Sequence, residues 1–156
     1  MFRSPIDLAV LNRQYATFLV QLMGLEFTAA TESTLTARLP VDERTWQAFG
    51  ILHGGASVVL AETVGSVAAN HCVDFANQFC VGLEINANHI RSIRSGWVEA
   101  TARPLHLGSS TQVWDIPILD NEGRLVCASR LTMAVRSRQQ GTGGKPLMDE
   151  VRAPTG

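Results

Sequence analysis

The chain has 156 residues, of which 46% are hydrophobic and 17% are charged, and its formal net charge is -1. This length suits one domain with a real hydrophobic core and leaves no room for two ordinary domains. The near-neutral charge and a mean hydropathy of +0.08 give no electrostatic signal for nucleic acid or for an anionic membrane, so we expect neither as a partner.

A helix with one buried face is predicted over residues 7–22. Its apolar side chains recur at spacings of three and four, and they are Leu8, Leu11, Tyr15, Leu19 and Leu22. Gly24 is placed to end this helix. The run Asn12-Arg13-Gln14 interrupts the apolar stretch, so it lacks the continuous core of a signal peptide and we expect a protein that is not exported.

A β-hairpin and a core helix are predicted next. Residues 25–30 and 33–39 are strand-like runs, the second with clear apolar and polar alternation, and Pro40 ends it. In the segment over residues 50–70, which contains the predicted core helix, Glu62 is the only charged side chain. A helix that is apolar on nearly every side is enclosed on nearly every side, so we expect it to lie inside the sheet.

Four further strands are predicted over residues 79–88, 96–105, 111–119 and 124–135, and short turns join them. This pattern indicates an antiparallel meander. We therefore predict an α+β fold in which six antiparallel strands curl around the central helix and the N-terminal helix covers the remainder. The domain is predicted over residues 1–136, and residues 137–156, which are polar and rich in Gly and Pro, are predicted to be a flexible tail.

Glu62 is the first candidate for chemistry. A carboxylate in the middle of an uncharged core helix is costly unless something satisfies it, and buried acids concentrate at working sites. A lone helical glutamate more often lies on an exposed stripe or pairs with an arginine. Here its neighbours along every turn are apolar or small, which weakens that alternative.

The run His53-Gly54-Gly55 lies where the core helix should begin. Unpaired backbone N–H groups at a helix N-terminus can bind an anion or a carbonyl oxygen that is becoming one. Gly54 and Glu62 are eight residues apart, so their backbones are about 12 Å apart along one helix. If both act on one carbonyl group, they must come from two subunits. The low charge of the chain also favours surface buried in an oligomer.

Three separated runs resemble one known family. They are FGILHGGAS at 49–57 with LAE at 60–62, VGLEINANH at 81–89, and PLHLG at 104–108. In this order they resemble the hotdog-fold acyl-CoA thioesterases. More narrowly, they are similar to the branch of the proofreading thioesterase of enterobactin synthesis, 1,4-dihydroxy-2-naphthoyl-CoA thioesterase and the Arthrobacter-type 4-hydroxybenzoyl-CoA thioesterase. The resemblance spans about residues 8–135 and implies the hotdog fold, a sheet wrapped around one long helix.

The resemblance implies five catalytic residues. Glu62 matches the catalytic carboxylate, which acts as nucleophile or as general base toward water, and both roles stay open here. The Gly54 amide matches the oxyanion donor, and Gln47 matches the glutamine that helps to orient the thioester carbonyl. His53 matches a histidine beside that carbonyl, and Ser66, one turn after Glu62, matches a hydroxyl that positions the acid or the water.

The resemblance also implies contacts to the substrate and its coenzyme A. The matching positions are Gly55, Gly82, His89, Arg91, Ser92, His106, Gly108, Ser109 and Ser110. Without the resemblance, Arg91 and Arg94 would be interpreted as solvated loop charges. Residues 71–78 depart from the family's pattern, which leaves the acyl group open.

The expected cofactors and partners follow from the same resemblance. It implies a homodimer with shared active sites, often paired into a tetramer, and an acyl-CoA substrate with no separate cofactor. None of the four histidines has a histidine partner at i+2 to i+4, so no metal is expected. Cys72, Cys80 and Cys127 form no zinc or disulfide pattern, which favours inert thiols in a cytoplasmic protein.

The sequence therefore predicts a thioesterase that hydrolyses aromatic or medium-chain acyl-CoA to free acid and CoA. Two alternatives use the same fold. One is a non-catalytic acyl-CoA-binding or regulatory module, against which the complete set of Glu62, Gln47 and Gly54 argues. The other is a hydratase or dehydratase, for which His53 and Glu62 would have to act on an alkyl chain.

Overall fold

The computed structural model describes residues 1–138. It contains three α-helices and seven β-strands within this range. The helices are α1 Leu8–Tyr15, α2 Phe18–Met23 and α3 Gly54–His71, and the strands are β1 Glu26–Ala30, β2 Leu35–Pro40, β3 Gln78–His89, β4 Trp97–Leu107, β5 Thr111–Asp115, β6 Ile118–Asp120 and β7 Leu125–Ser137. The predicted tail lies outside the described residues, apart from Ser137 and Arg138.

The predicted N-terminal helix is divided in two. Asp7 caps α1 by accepting hydrogen bonds from the backbone of residues 9 and 10, and Gly24 ends α2 at a φ of 72°. Between them Thr17 is extended. Asn12 hydrogen-bonds both backbone groups of Phe27 in β1, at 2.8 and 2.9 Å. Because these bonds hold α1 against the sheet, the chain must change direction before α2.

All strand pairs are antiparallel, in the order β1-β2-β4-β5-β7-β3, with β6 between β4 and β7. The predicted meander is correct for β4 to β7 but wrong for β3. This strand does not pair with β4; it lies at the far edge, against β7. The predicted strand over 111–119 is two strands, because Pro117 has no N–H to donate to a neighbouring strand.

The sheet curls around α3, which packs against β2, β3, β4 and β7. This confirms the predicted enclosure of the helix. Gly65 allows the close approach, because a Cβ on it would lie 2.5 Å from the Leu131 side chain and 2.7 Å from that of Ile116. Within the described residues, no helix is long and apolar enough to span a membrane.

The outer edge of β3 is open, and large apolar side chains on this strand are exposed. Val81 is 41% and Leu83 is 54% accessible. β3 has twelve residues, and an edge strand of this length presents a row of backbone groups that a second strand can pair with. Its position beside α3 also brings it to the candidate site.

Candidate active site

The N-terminus of α3 presents one unpartnered amide. His53 is the N-cap, and its Nδ1 accepts a hydrogen bond from the Gly55 N–H at 2.8 Å. The carbonyl of His53 accepts from Ala56 and Ser57. Among residues 1–138, the Gly54 N–H has no hydrogen-bond partner, and it is directed outward from the helix end. Gly54 is therefore the available donor, while the Gly55 amide is already bound to His53.

Gln47 lies in a tight turn beside this helix end. Its side-chain Oε1 accepts from the Phe49 N–H at 2.6 Å, and its backbone N–H donates to the Ile51 carbonyl at 2.9 Å. Gly50 closes the turn at a φ of 66°. Because Oε1 is occupied, the Nε2 amide group of Gln47 is left as the donor to a ligand.

Arg94 supports this turn, a role that was not predicted from the sequence. Its Nη1 donates to the carbonyls of Phe49 and Gly50 at 3.3 and 3.5 Å. The Trp46 indole in turn donates to the Arg94 carbonyl at 3.0 Å. The charge of Arg94 therefore holds the Gln47 turn, and it is more than a solvated loop charge.

One cavity of about 310 Å³ collects several of the predicted residues. Gln47, Gly54, His89, Arg91 and Ser92 all line it. A Cβ on residue 54 would lie 2.7 Å from His89 Nε2, so a larger residue there would force the His89 side chain to shift. Two hydrogen-bond donors and one arginine thus face a common space.

Glu62 lies elsewhere on α3 and does not line this cavity. It is half-buried, and the Ser66 hydroxyl donates to its Oε1 at 3.2 Å. Burial raises the pKa of Glu62, and the Ser66 hydrogen bond opposes the rise. A Cβ on Gly82 of β3 would lie 2.5 Å from the same Oε1. The edge strand therefore covers the Glu62 carboxylate closely, and this close approach depends on the absence of a side chain at residue 82.

Asn70, which is not among the predicted residues, holds β3 in that position. Its Oδ1 accepts from the Cys80 N–H at 2.9 Å, and its Nδ2 donates to the Cys80 carbonyl at 3.2 Å. Nδ2 also donates to the Ser66 carbonyl at 2.9 Å. One amide thus joins the start of β3 to the turn of α3 that carries Ser66.

The remaining predicted residues lie in the turn between β4 and β5. His106 is exposed at the end of β4, and the Gly108 N–H donates to the Thr111 carbonyl at 2.9 Å. Ser109 and Ser110 are exposed, and the Ser110 carbonyl accepts from Val135. The register places this turn at the end of the sheet that carries Gly82, because Gly82 pairs with Met133 and Met133 with Gln112.

One protomer therefore holds two separate groups of predicted residues. Gln47, His53, Gly54, Gly55, His89, Arg91 and Ser92 lie at the N-terminal end of α3, and Glu62, Ser66, Gly82, His106, Gly108, Ser109 and Ser110 lie toward the other end. Gly82 and His89 are seven residues apart on one strand, or about 23 Å. Among residues 1–138 no cluster of three or more His, Cys, Asp or Glu could hold a metal ion.

The chain is similar in sequence to a known family and to named relatives. A family model described as the thioesterase superfamily matches residues 49–127. The 1,4-dihydroxy-2-naphthoyl-CoA hydrolase of Escherichia coli K12 is 51% identical over 135 residues, which cover 86% of this chain and 98% of that protein. The proofreading thioesterase EntH of Cronobacter turicensis is 44% identical, with the same 86% and 98% covered.

Solved structures of thioesterases share the fold. One from Pseudomonas aeruginosa, in a variant that replaces a glutamine by alanine, has a TM-score of 0.86 at 50% identity and covers 88% of this chain and 99% of that one. One from Staphylococcus aureus, in a variant that replaces a glutamate by alanine, has a TM-score of 0.75 at 36% identity and covers 78% of this chain and 100% of that one. A second solved structure of the S. aureus protein carries a glutamine-to-alanine substitution.

Proposed function

Because the chain belongs to the thioesterase superfamily, has the hotdog fold and is a thioester hydrolase, we propose that it hydrolyses acyl-CoA thioesters and that Glu62 is its catalytic carboxylate, acting as nucleophile or as general base. The observation that carries this proposal is the half-buried Glu62 carboxylate, which Ser66 binds and Gly82 covers. Carboxylates in such surroundings are typical of catalytic groups. Within one protomer, the Glu62 carboxylate and the Gly54 amide are too far apart to act on one carbonyl group.

The proposed mechanism begins with the thioester carbonyl oxygen in the cavity of Gly54. The Gly54 N–H and the Nε2 amide of Gln47 donate to this oxygen and stabilise the negative charge that develops on it. Glu62 then either attacks the carbonyl carbon itself or takes a proton from a water molecule that attacks. Collapse of the tetrahedral intermediate breaks the C–S bond, and the CoA sulfur leaves as a thiolate that is then protonated.

In the first alternative, the departure of CoA leaves an acyl-Glu62 anhydride, which water hydrolyses to the free acid and the restored carboxylate. In the second, the free acid forms directly. The structure fits both, because Ser66 can position either the carboxylate or the water.

We propose that each active site is shared across a homodimer. The 12 Å separation of Gly54 and Glu62 along α3, estimated from about 1.5 Å per residue, supports two subunits acting on one carbonyl. The open edge of β3 and its exposed Val81 and Leu83 support pairing with a second copy of the same strand. An antiparallel β3 pair centred near Ile85 would bring the Gly82 of one protomer beside the His89 of its partner.

Coenzyme A would then contact both protomers. His89, Arg91 and Ser92 line the cavity of Gly54, and Arg91 is exposed, as a phosphate ligand must be. His106, Gly108, Ser109 and Ser110 would come from the subunit that supplies Glu62. Their exposed hydroxyl groups and backbone suit the pantetheine or the nucleotide.

The names of the relatives support an aromatic acyl group, since the E. coli protein is named for a dihydroxynaphthoyl ester. We propose aromatic and medium-chain acyl groups as the substrate class, with no metal and no separate cofactor. A cytoplasmic location and a tetramer of two dimers belong to the same proposal. All three cysteines are free thiols, which supports the location.

The role of Glu62 draws support from spacing as well. The glutamate and the glutamine replaced in the two S. aureus structures are fifteen residues apart. Gln47 and Glu62 are also fifteen residues apart. The same two residue types at the same separation favour a common role for each pair.

The first test follows free-thiol release from benzoyl, hydroxybenzoyl, phenylacetyl, dihydroxynaphthoyl and straight-chain CoA esters. Wild type should turn over at least one ester, and Glu62→Gln should lose at least about a hundredfold in kcat. The matched control is Glu32→Gln, an exposed acid in the turn between β1 and β2, which should keep its rate. Full activity in Glu62→Gln would remove Glu62 from the mechanism.

The second test is complementation between two inactive variants. Glu62→Ala and Gln47→Ala are mixed, unfolded and refolded together. If the sites are shared, half of the dimers are mixed and each contains one intact site, so activity recovers to about one quarter of wild type. If each protomer contains a whole site, no activity returns.

A further inference from the structure

A cavity of about 650 Å³ lies apart from both groups of predicted residues. It is enclosed by α1, the last two turns of α3, the segment 73–76 and the start of β3. Neither Glu62 nor Gly54 lines it. Asn70 and Cys80 form the wall on the side toward Ser66.

Much of the cavity wall is apolar and aromatic. Leu11, Tyr15, Val67, Val73, Phe75 and Phe79 contribute to it. A cavity with this lining and volume can hold a naphthalene ring or a medium-length alkyl chain, because drug-sized ligands occupy spaces of about 300–1,000 Å³. The body of a fitting ligand is therefore hydrophobic.

Arg138 is a cationic residue of the cavity lining, which also includes the polar residues Arg3, Gln14 and His71. Its guanidinium carbon lies 4.3 Å from the ring centroid of Phe75 and 5.7 Å from that of Phe79. Its backbone N–H donates to the Asn77 carbonyl at 2.8 Å, which fixes the start of the side chain. Among residues 1–138, its Nε is buried without a hydrogen-bond partner and its guanidinium has no carboxylate partner.

The one acidic residue of the lining does not compensate this charge. Asp74 accepts from the Asn77 amide at 2.7 Å and from the Ala76 N–H at 3.2 Å. These bonds and the charge of Arg3 hold the pKa of Asp74 below its usual range. Asp74 is thus satisfied mainly by Asn77 and the Ala76 N–H, and among residues 1–138 no carboxylate forms an ion pair with Arg138. A guanidinium that lines a cavity can bind a carboxylate with two parallel hydrogen bonds.

We propose that this cavity is a second binding site, which takes an amphipathic carboxylate with its apolar body among the aromatic side chains and its carboxylate on Arg138. The site does not require the proposed role of Glu62. Two sources have this chemistry: a free carboxylic acid, which is the class of product that a thioesterase releases, and the distal carboxylate of a dicarboxylic acyl group on a bound thioester.

The test uses 2-naphthoate as the probe and 2-naphthylmethanol as a neutral probe of the same shape. Calorimetric titration of the full-length protein should show binding of the naphthoate, and Arg138→Met should weaken it by about tenfold or more. The alcohol should bind wild type and Arg138→Met about equally. Arg136→Met, which changes an exposed arginine on β7 two residues before Arg138, is the matched control and should bind as wild type does.

Further variants separate this site from the proposed active site. Naphthoate should bind Glu62→Gln and Gln47→Ala as it binds wild type. Loss of binding in either variant, or unchanged binding in a folded Arg138→Met, overturns the proposal. Melting temperatures of all variants identify any that fail to fold. For a protein in which Arg138→Met unfolds, Arg138→Lys replaces it, and undiminished naphthoate affinity in that variant overturns the carboxylate contact.

A kinetic arm distinguishes the two sources. If the distal carboxylate of an acyl group is the ligand, Arg138→Met lowers kcat/KM for a 10-carbon ω-carboxyacyl-CoA but not for decanoyl-CoA. If a free acid is the ligand, the two esters respond equally and only naphthoate binding changes. Failure of all esters to react would affect the proposed function alone, because the titration does not depend on turnover.

Discussion

We expect Gly82→Ala to remove most of the activity while leaving the fold intact. The added Cβ would lie 2.5 Å from Oε1 of Glu62, whereas ordinary van der Waals contact begins at 3.4 Å. The carboxylate must therefore move by about 1 Å, and a misplacement of this size in a reacting group costs about a hundredfold in rate.

The stability of Gly82→Ala should change little. Gly82 is not among the glycines with a positive φ, which are Gly24, Gly50, Gly96 and Gly123, so alanine fits its backbone. Replacing a strand glycine by alanine lowers the entropy of the unfolded chain and stabilises by about 0.4–1 kcal/mol. This gain offsets part of the cost of displacing Glu62.

The assay measures kcat and KM by thiol release and the melting temperature by circular dichroism. We expect kcat to fall about a hundredfold, with a melting temperature within about 5 °C of wild type. In a Glu62→Gln background, the same change should have almost no further effect on rate, because the displaced group is already disabled. A Gly82→Ala protein within threefold of the wild-type kcat, or an equal loss in both backgrounds, would refute the reasoning.

Three other predictions concern the neighbours of Glu62 and the strand that covers it. Ser66→Ala removes the hydrogen bond that lowers the pKa of Glu62, so this pKa should rise. The acidic limb of the pH profile of kcat/KM should then move to higher pH. Thr63→Ala, the control, should leave that profile unchanged. Asn70→Ala should lower kcat by about tenfold, because β3 is no longer held in place. Asn70→Asp keeps the acceptor for the Cys80 N–H and should retain more of the rate. Equal rates in the two variants would contradict the role of Asn70 in holding β3. Leu83→Asp should sediment as an inactive monomer, whereas Leu19→Asp, exposed on α2, should sediment as wild type does.

Periodicity was enough to predict the central helix, the hairpin and most of the strands. The helix was recognisable because a segment with one charged residue must be enclosed, and its start was marked by His53 and two glycines. The place of β3 was not predictable in this way. Short turns favour neighbours in sequence, but the segment between β3 and β4 carries the chain to the other side of the sheet.

The candidate site followed from motifs only where its residues are adjacent in sequence. Glu62 and Gly54 were found because their helix is unusual in composition. Asn70 and Arg94 were missed, because an asparagine near a helix end and an arginine in a loop are common on protein surfaces. Their roles depend on partners ten and 45 residues away, and no local pattern encodes such contacts.

The position of β3 in the sheet determines when this strand can pair during synthesis. Among residues 1–138 this strand forms its ladder only with β7, whose partner residues are 127–137, so it has no strand partner until nearly all of these residues have been synthesised. α3 and Glu62 are complete long before that point. Non-local strand pairing is also the slow part of folding, so the β3–β7 ladder that fixes the cover over Glu62 is completed late, and the proposed site is whole only after the last strand has emerged.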